Sequence, residues 1–158
     1  MGCCIIDVLR ACGRNRTERY QMTAQKDNPY LTITLTDRRP IKIKKDDWPM
    51  VADAGDSWHD NQYDFQANRT EKIHIWVRQH ADGRAIVYAL YDYDTRFQGE
   101  SGYCARVGMI LAADEDIVSG IRSVGDLLQG RCLDRIGNVN SVADVVAACI
   151  ADLPAEEI

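Results

Sequence analysis

At 158 residues the chain has the length of one domain and can bury roughly two-thirds of the surface its unfolded form exposes, so no metal or disulfide is required to hold a core. Its 46% hydrophobic and 27% charged residues exclude a wholly disordered chain. The net charge of −5 is unevenly spread: residues 1–50 hold ten Lys and Arg against six Asp and Glu, residues 51–158 nine against eighteen, and so acidic a body argues against broad phosphate binding.

No apolar run approaches the ~20 residues of a membrane span. The longest, Val107–Ala113, is strand-sized. The N-terminal segment has neither a basic region ahead of its apolar stretch nor a small-residue cleavage pattern, so no signal peptide is expected. Met1-Gly2-Cys3-Cys4 evokes lipidation, but Ile6 stands where the myristoylation pattern wants Ser or Thr. Six cysteines (Cys3, Cys4, Cys12, Cys104, Cys132, Cys149) have no regular spacing and no CxxC or CxxH partner set. Reduced thiols in a cytoplasm, with no metal and no cofactor, are the expectation.

In chain order, Cys4, Ile5, Val8, Leu9 and Cys12 sit at helical spacing and Gly13 stops the run. Arg14 to Asn28 is polar and unpatterned, with Met22 inside it. Residues 1–21 are therefore read as an extension carrying a short helix, dispensable for folding, and residues 22–158 as a single α+β domain. From Tyr30 the period becomes two. Leu31, Ile33 and Leu35 alternate with threonines, Asp37–Pro40 reads as a turn, and Ile41 and Ile43 alternate with Lys42 and Lys44. This predicts a hairpin with a basic outer face. Asp46 and Asp47 followed by Trp48-Pro49 predict a capped helix to about Ala54, closed by Gly55.

Residues 55–70, polar and aromatic, read as a loop or irregular strand. Ile73, Ile75 and Val77 then alternate with His74, Trp76 and Arg78, and the Asp82-Gly83 turn leads into Ala85–Leu90. The apolar second strand predicts a central position, buried on both faces. Tyr91–Gly102 reads as a second polar, aromatic loop and Tyr103–Leu111 as the last strand. Asp114 is expected to cap a helix with Ile117, Ile121, Val124 and Leu128 on its apolar face, ended by Gly130. Ser141 and Asp144 open a final helix that Pro154 stops. Strands first and helices last predict an α+β fold: an antiparallel sheet of about four to five strands with the C-terminal helices packed on one face.

Chemistry-bearing residues are sparse. No Walker loop, G-x-G-x-x-G or G-x-S-x-G appears. His59 with Asp56, Asp60, Asp92 or Asp94 makes a ligand or acid–base set only if residues 55–70 fold over the strand end that carries 92–94. Arg38, Arg39, Lys42 and Lys44 cluster on the first hairpin, where a β-ribbon can meet nucleic acid, although Asp37, Asp46 and Asp47 flank them. Aromatics placed in loops and on a strand's polar face serve interfaces as anchors. On that ground Trp58, Tyr63 and Trp76, with Asp92 and Asp94, are the expected interaction residues.

The stretches Leu31–Pro49 (LTITLTDRRPIKIKKDDWP), Trp76–Arg84 (WVRQHADGR) and Ile150–Ile158 (IADLPAEEI) resemble a group of small uncharacterised accessory proteins of bacterial plasmids and integrative elements. The likeness covers roughly residues 29–158 and carries no assigned catalytic motif. What it implies is context: a mobile-element product, in a setting where inhibitors of host defence of the anti-CRISPR or anti-defence type are common. The acidic body, the loop aromatics and the absence of a catalytic motif add the expectation that it binds a protein partner without catalysis. The alternatives are a small enzyme or metal-binding protein around His59, and a nucleic-acid-binding protein using the basic hairpin.

Overall fold

A computed structural model describes residues 28–60, 69–132 and 140–156. The expected N-terminal helix, the Met22 boundary and Tyr63 lie outside these residues. The fold is α+β. Strands β1 (Tyr30–Ile33) and β2 (Ile41–Lys44) form an antiparallel pair. Strands β3 (Met50–Asp60), β4 (Arg69–Gln79), β5 (Ala85–Thr95) and β6 (Tyr103–Leu111) form a four-stranded antiparallel sheet in sequence order. Helices α1 (Ile117–Cys132) and α2 (Asn140–Asp152) follow. None of the described helices is long and apolar enough to cross a membrane.

The sheet is the middle of three layers. On β4, Ile73, Ile75 and Val77 are fully buried against the helices, joined by Val87 and Tyr91 of β5 and Val107 of β6. Ile121, Val124 and Leu128 of α1 and Val142, Val145 and Cys149 of α2 meet them. The spacing of i, i+3 or i+4 that puts these helix residues on one face makes the layer possible. Each fully buried aliphatic side chain contributes about 1.5–3 kcal/mol. On the opposite face the β1–β2 hairpin lays Ile33, Leu35 and Ile43 over Ile86, with Trp48, Tyr88 and Ile110 at the margin. Strand β5 thus has apolar cover on both sides, and it lies between β4 and β6 as its composition implies.

Local chemistry closes the connections. Gly83, at φ +94°, allows the His80–Arg84 turn, in which Gly83 N donates to His80 O at 3.0 Å. Asp82 Oδ1 accepts from Arg84 N at 3.0 Å, which holds its carboxyl below the usual range. Side-chain and main-chain bonds engage part of both edges of the sheet, which hinders strand addition there. Asp53 N donates to Asp152 Oδ2 at 2.9 Å and Ser57 N to Asp56 Oδ1 at 2.9 Å along β3. At β6, Gly108 N donates to Thr36 Oγ1 at 3.1 Å while Thr36 N donates to Gly108 O at 2.9 Å.

Four local expectations change. Residues 46–54 do not form a helix. Asp47 N and Trp48 N donate to Lys44 O and Lys45 O, making a tight turn, and from Met50 the chain is strand. Pairing of β3 with β4 from Met50 to Asp60 outweighs a short helix of about two turns past its cap. Gly55 is therefore a mid-strand residue, not a helix stop. Second, strands reach into both expected loops: β3 runs to Asp60, β4 begins at Arg69 and β5 continues through Tyr91–Asp94 to Thr95, while residues 96–102 are non-strand as expected. Third, the cap of α1 is Asp116, not Asp114. Its carboxylate accepts from Val118 N at 3.3 Å and Ser119 N at 3.2 Å, while the Ser119 hydroxyl donates to it at 2.8 Å and lowers its pKa. Fourth, α1 passes Gly130 and is described to Cys132, whose side chain is fully buried.

Candidate functional site

Side chains alternate across a strand, so the even-numbered residues of β4 emerge on the face away from the helices. The hairpin covers only one end of that face. Beyond it stands a continuous ladder. Asp53 Oδ2 of β3 accepts from His74 Nε2 at 2.8 Å. The His74 ring stacks on Trp76 at 4.3 Å between centroids with 17° between planes, and Trp76 stacks on Tyr88 at 5.1 Å and 17°. Arg78 Nε donates to the Tyr88 hydroxyl at 3.0 Å, and Arg78 Nη1 donates to Trp48 O at 3.0 Å. Burial raises the Tyr88 hydroxyl's pKa.

The register explains the ladder. Asp53, Trp76, Tyr88 and Gly108 are consecutive cross-strand partners, as are Gly55, His74, Leu90 and Arg106. A Cβ at Gly55 would overlap the His74 imidazole, so only glycine lets that ring lie flat on β3 and reach Asp53. In the next row Ser57, Lys72, Asp92 and Cys104 are partners. Lys72 is exposed and Asp92 half-buried, and desolvation raises the Cys104 thiol's pKa. Asp94, exposed, pairs with Thr70 one row further. Arg106 Nε is buried and has no hydrogen-bond partner among the described residues.

The expected residues therefore divide. Trp76, Asp92 and Asp94 share the open face. Trp58 does not: it pairs with Glu71 on the helix side, and its indole N–H donates to the Glu71 carboxylate. Asp56 pairs with Ile73, also on the helix side, away from Asp92 and Asp94. The backbone of His59 lies opposite Thr70, which lies opposite Asp94, two strand spacings or about 10 Å away. The side chains of His59 and Asp60 lie outside the described residues. Among the described residues no group of three His, Cys, Asp or Glu side chains is placed to hold a metal.

Two carboxylates escaped the sequence reading. Glu71 is only 6% exposed, although charged, and accepts from the Tyr91 hydroxyl at 2.7 Å as well as from Trp58. Burial pushes the Tyr91 hydroxyl far up, and the adjacent carboxylate adds to this. Parity was the available signal: Glu71 is two residues before Ile73 and so on the core face, and Tyr91 continues Ala85, Val87 and Ala89. Glu100, in the β5–β6 loop, accepts from Arg69 Nε at 3.2 Å, Thr95 Oγ1 at 2.6 Å and the Tyr93 hydroxyl at 3.1 Å. The Arg69 bond, chiefly, and then the Thr95 bond push its pKa down to about 2. Arg69 also lies 4.6 Å from the Phe97 ring centroid. No sequence pattern links these five residues.

The basic hairpin is placed as its alternation implies. Lys42 and Lys44 are exposed on the outer face, opposite Thr32 and Tyr30, and Arg38 and Arg39 are exposed in the turn. No protein-family model matches the chain, and neither a curated protein nor a solved structure matches it significantly.

Proposed function

We propose that this chain is a binding protein, not a catalyst, that docks a protein partner on the open face of its four-stranded sheet. The reading carries over the expected context of an accessory protein of a bacterial mobile element, with a host or element protein as its partner. The observation behind it is the stacked, half-exposed ladder of His74, Trp76 and Tyr88 on the face the helices leave uncovered. Rigid aromatics are favoured at interfaces because they bring large contact area at small entropic cost. The partly engaged edges of β3 and β6 make strand addition the poorer route. The bonds of His74 to Asp53, and of Arg78 to Tyr88 and Trp48, hold the ladder's side chains in place, so the face meets a partner already ordered.

The test is affinity capture from a bacterial lysate by the full chain, by Trp76→Ala and Lys72→Glu on the open face, and by Arg122→Glu on the exposed surface of α1. A protein retained by the wild type and Arg122→Glu but lost from both open-face variants supports the reading. Lys72 is exposed, so its replacement tests the face without disturbing packing. Equal retention by all four proteins, or no retained protein together with turnover of a small molecule, overturns it.

A further inference from the structure

We infer that the outer face of the β1–β2 hairpin is a short binding site for single-stranded nucleic acid, separate from the face proposed above for a protein partner. Within an acidic chain the hairpin is a local reversal of charge. Arg38, Arg39, Lys42 and Lys44 are all exposed, and among the described residues no carboxylate pairs with any of them. Elsewhere Arg69 and Arg84 are tied into ion pairs with Glu100 and Asp82. Four unneutralised cations on one ribbon carry a repulsion that a polyanion removes, releasing its own counterions.

The ribbon also presents an aromatic ring. Tyr30 is 46% exposed, one of the large apolar side chains left most open to solvent. It lies opposite Lys44 in the β1–β2 register, and Lys42 Nζ stands 4.7 Å from its ring centroid. The lysine stands over the ring, and the ring's exposure leaves area on which a base can stack. Cations beside an exposed ring are the combination that single-strand-binding surfaces use, the cations tracking phosphates and the ring stacking a base. Lys42 and Lys44 project on the same side about 6.7 Å apart, a spacing that lets each meet a different phosphate of an extended strand. Cations spaced for successive phosphates beside a ring that can stack a base favour nucleic acid over an acidic peptide, whose carboxylates have no such regular spacing. Asp37 on one side, and Asp46 and Asp47 on the other, bound the basic stretch, so the footprint is short.

Fluorescence anisotropy of a labelled oligothymidine, titrated with the full chain at increasing sodium chloride, tests this. The wild type should bind, with log affinity falling linearly against log salt at about −0.7 for each phosphate contacted. Lys42→Ala with Lys44→Ala should reduce that slope's magnitude by about 1.4. Tyr30→Ala should weaken binding about tenfold, the worth of one lost stacking contact. Trp76→Ala should bind as the wild type does, which separates this site from the sheet face. All three hairpin side chains are exposed, so the thermal transition should be unchanged and loss of binding will not mean loss of fold. No binding at the lowest salt, an unchanged slope in the double variant, or equally tight binding of a duplex or of polyglutamate overturns the inference.

Discussion

On β4, neighbours in sequence lead opposite lives. Ile73, Ile75 and Val77 are fully buried beneath the helices, whereas His74, Trp76 and Arg78 between them are half-exposed. The first set is held by apolar packing alone. The second is held by stacking and by bonds to Asp53, Tyr88 and Trp48. The difference teaches that one strand has divided two tasks between its faces. The helix side supplies stability, and the open side supplies an ordered surface with aromatic and charged groups still in reach of a partner. Substitutions on the two sides should therefore fail differently.

The largest effect is expected at the buried side. Ile75→Ala should lower unfolding free energy by about 3 kcal/mol, through lost burial and the cavity left behind, as read by denaturant titration. Trp76→Ala, one residue on, should cost clearly less while removing partner capture. Equal costs at both positions would mean that the open face is core, and the contrast would collapse.

Next is the buried carboxylate, the one charged residue among the described core side chains. Tyr91→Phe removes a donor from Glu71 with little change in shape, and should cost about 2 kcal/mol. Combining it with Glu71→Gln should cost less than the two single changes added together, because a neutral amide needs that donor less. A strictly additive double-mutant cycle would show that the two groups do not act as a unit.

A smaller effect is expected where the open face depends on a missing side chain. Gly55→Ala places a methyl in the space of the His74 ring, so the ring must leave Asp53. The cost should be about 1–2 kcal/mol of stability. Partner capture should fall with it, because the ladder loses its first step. An unchanged His74 imidazole spectrum by NMR in the variant would show that the ring is not held there.

The smallest and most conditional effect concerns Glu100. Its pKa lies below its ordinary 4.5 when folded, so the stabilisation it provides is fully present above about pH 4.5 and is lost as pH falls toward 2. The difference in melting temperature between wild type and Glu100→Gln should be constant at neutral pH and shrink through that acid window. A difference that stays constant down to pH 2 would remove the Arg69, Thr95 and Tyr93 contacts as its cause.

Much of the fold was legible because burial writes period two into strands and 3.6 into helices. The hairpin at Tyr30–Lys44, the Asp-Gly turn, the central position of β5 and the two apolar helix faces all follow from such patterns. What misled was local chemistry without its partner. Asp46-Asp47-Trp48-Pro49 has the residues of a helix start, yet β4 was waiting to pair with Met50–Asp60, and a strand interior accepts Gly55 when a neighbouring ring needs its space. Of the expected contact residues, Trp76, Asp92 and Asp94 share a face because their strands pair in register. Trp58 turned to the core side because its own register places it opposite Glu71.

By itself, the sequence determined the class of fold, the order of strands and helices, the basic outer face of the hairpin and the alternation along β4 and β5. Each depends on residues close together in the chain, whose apolar or charged character must match the local period. Only the tertiary structure decided which residues meet across strands: the His74–Trp76–Tyr88 ladder, its seat on Gly55, the buried Glu71–Tyr91 pair and the Glu100 clasp. Those contacts depend on register and on which face the helices cover, and neither is encoded within any one segment. A shift of one residue in pairing would have sent the strand side chains among these to the other face.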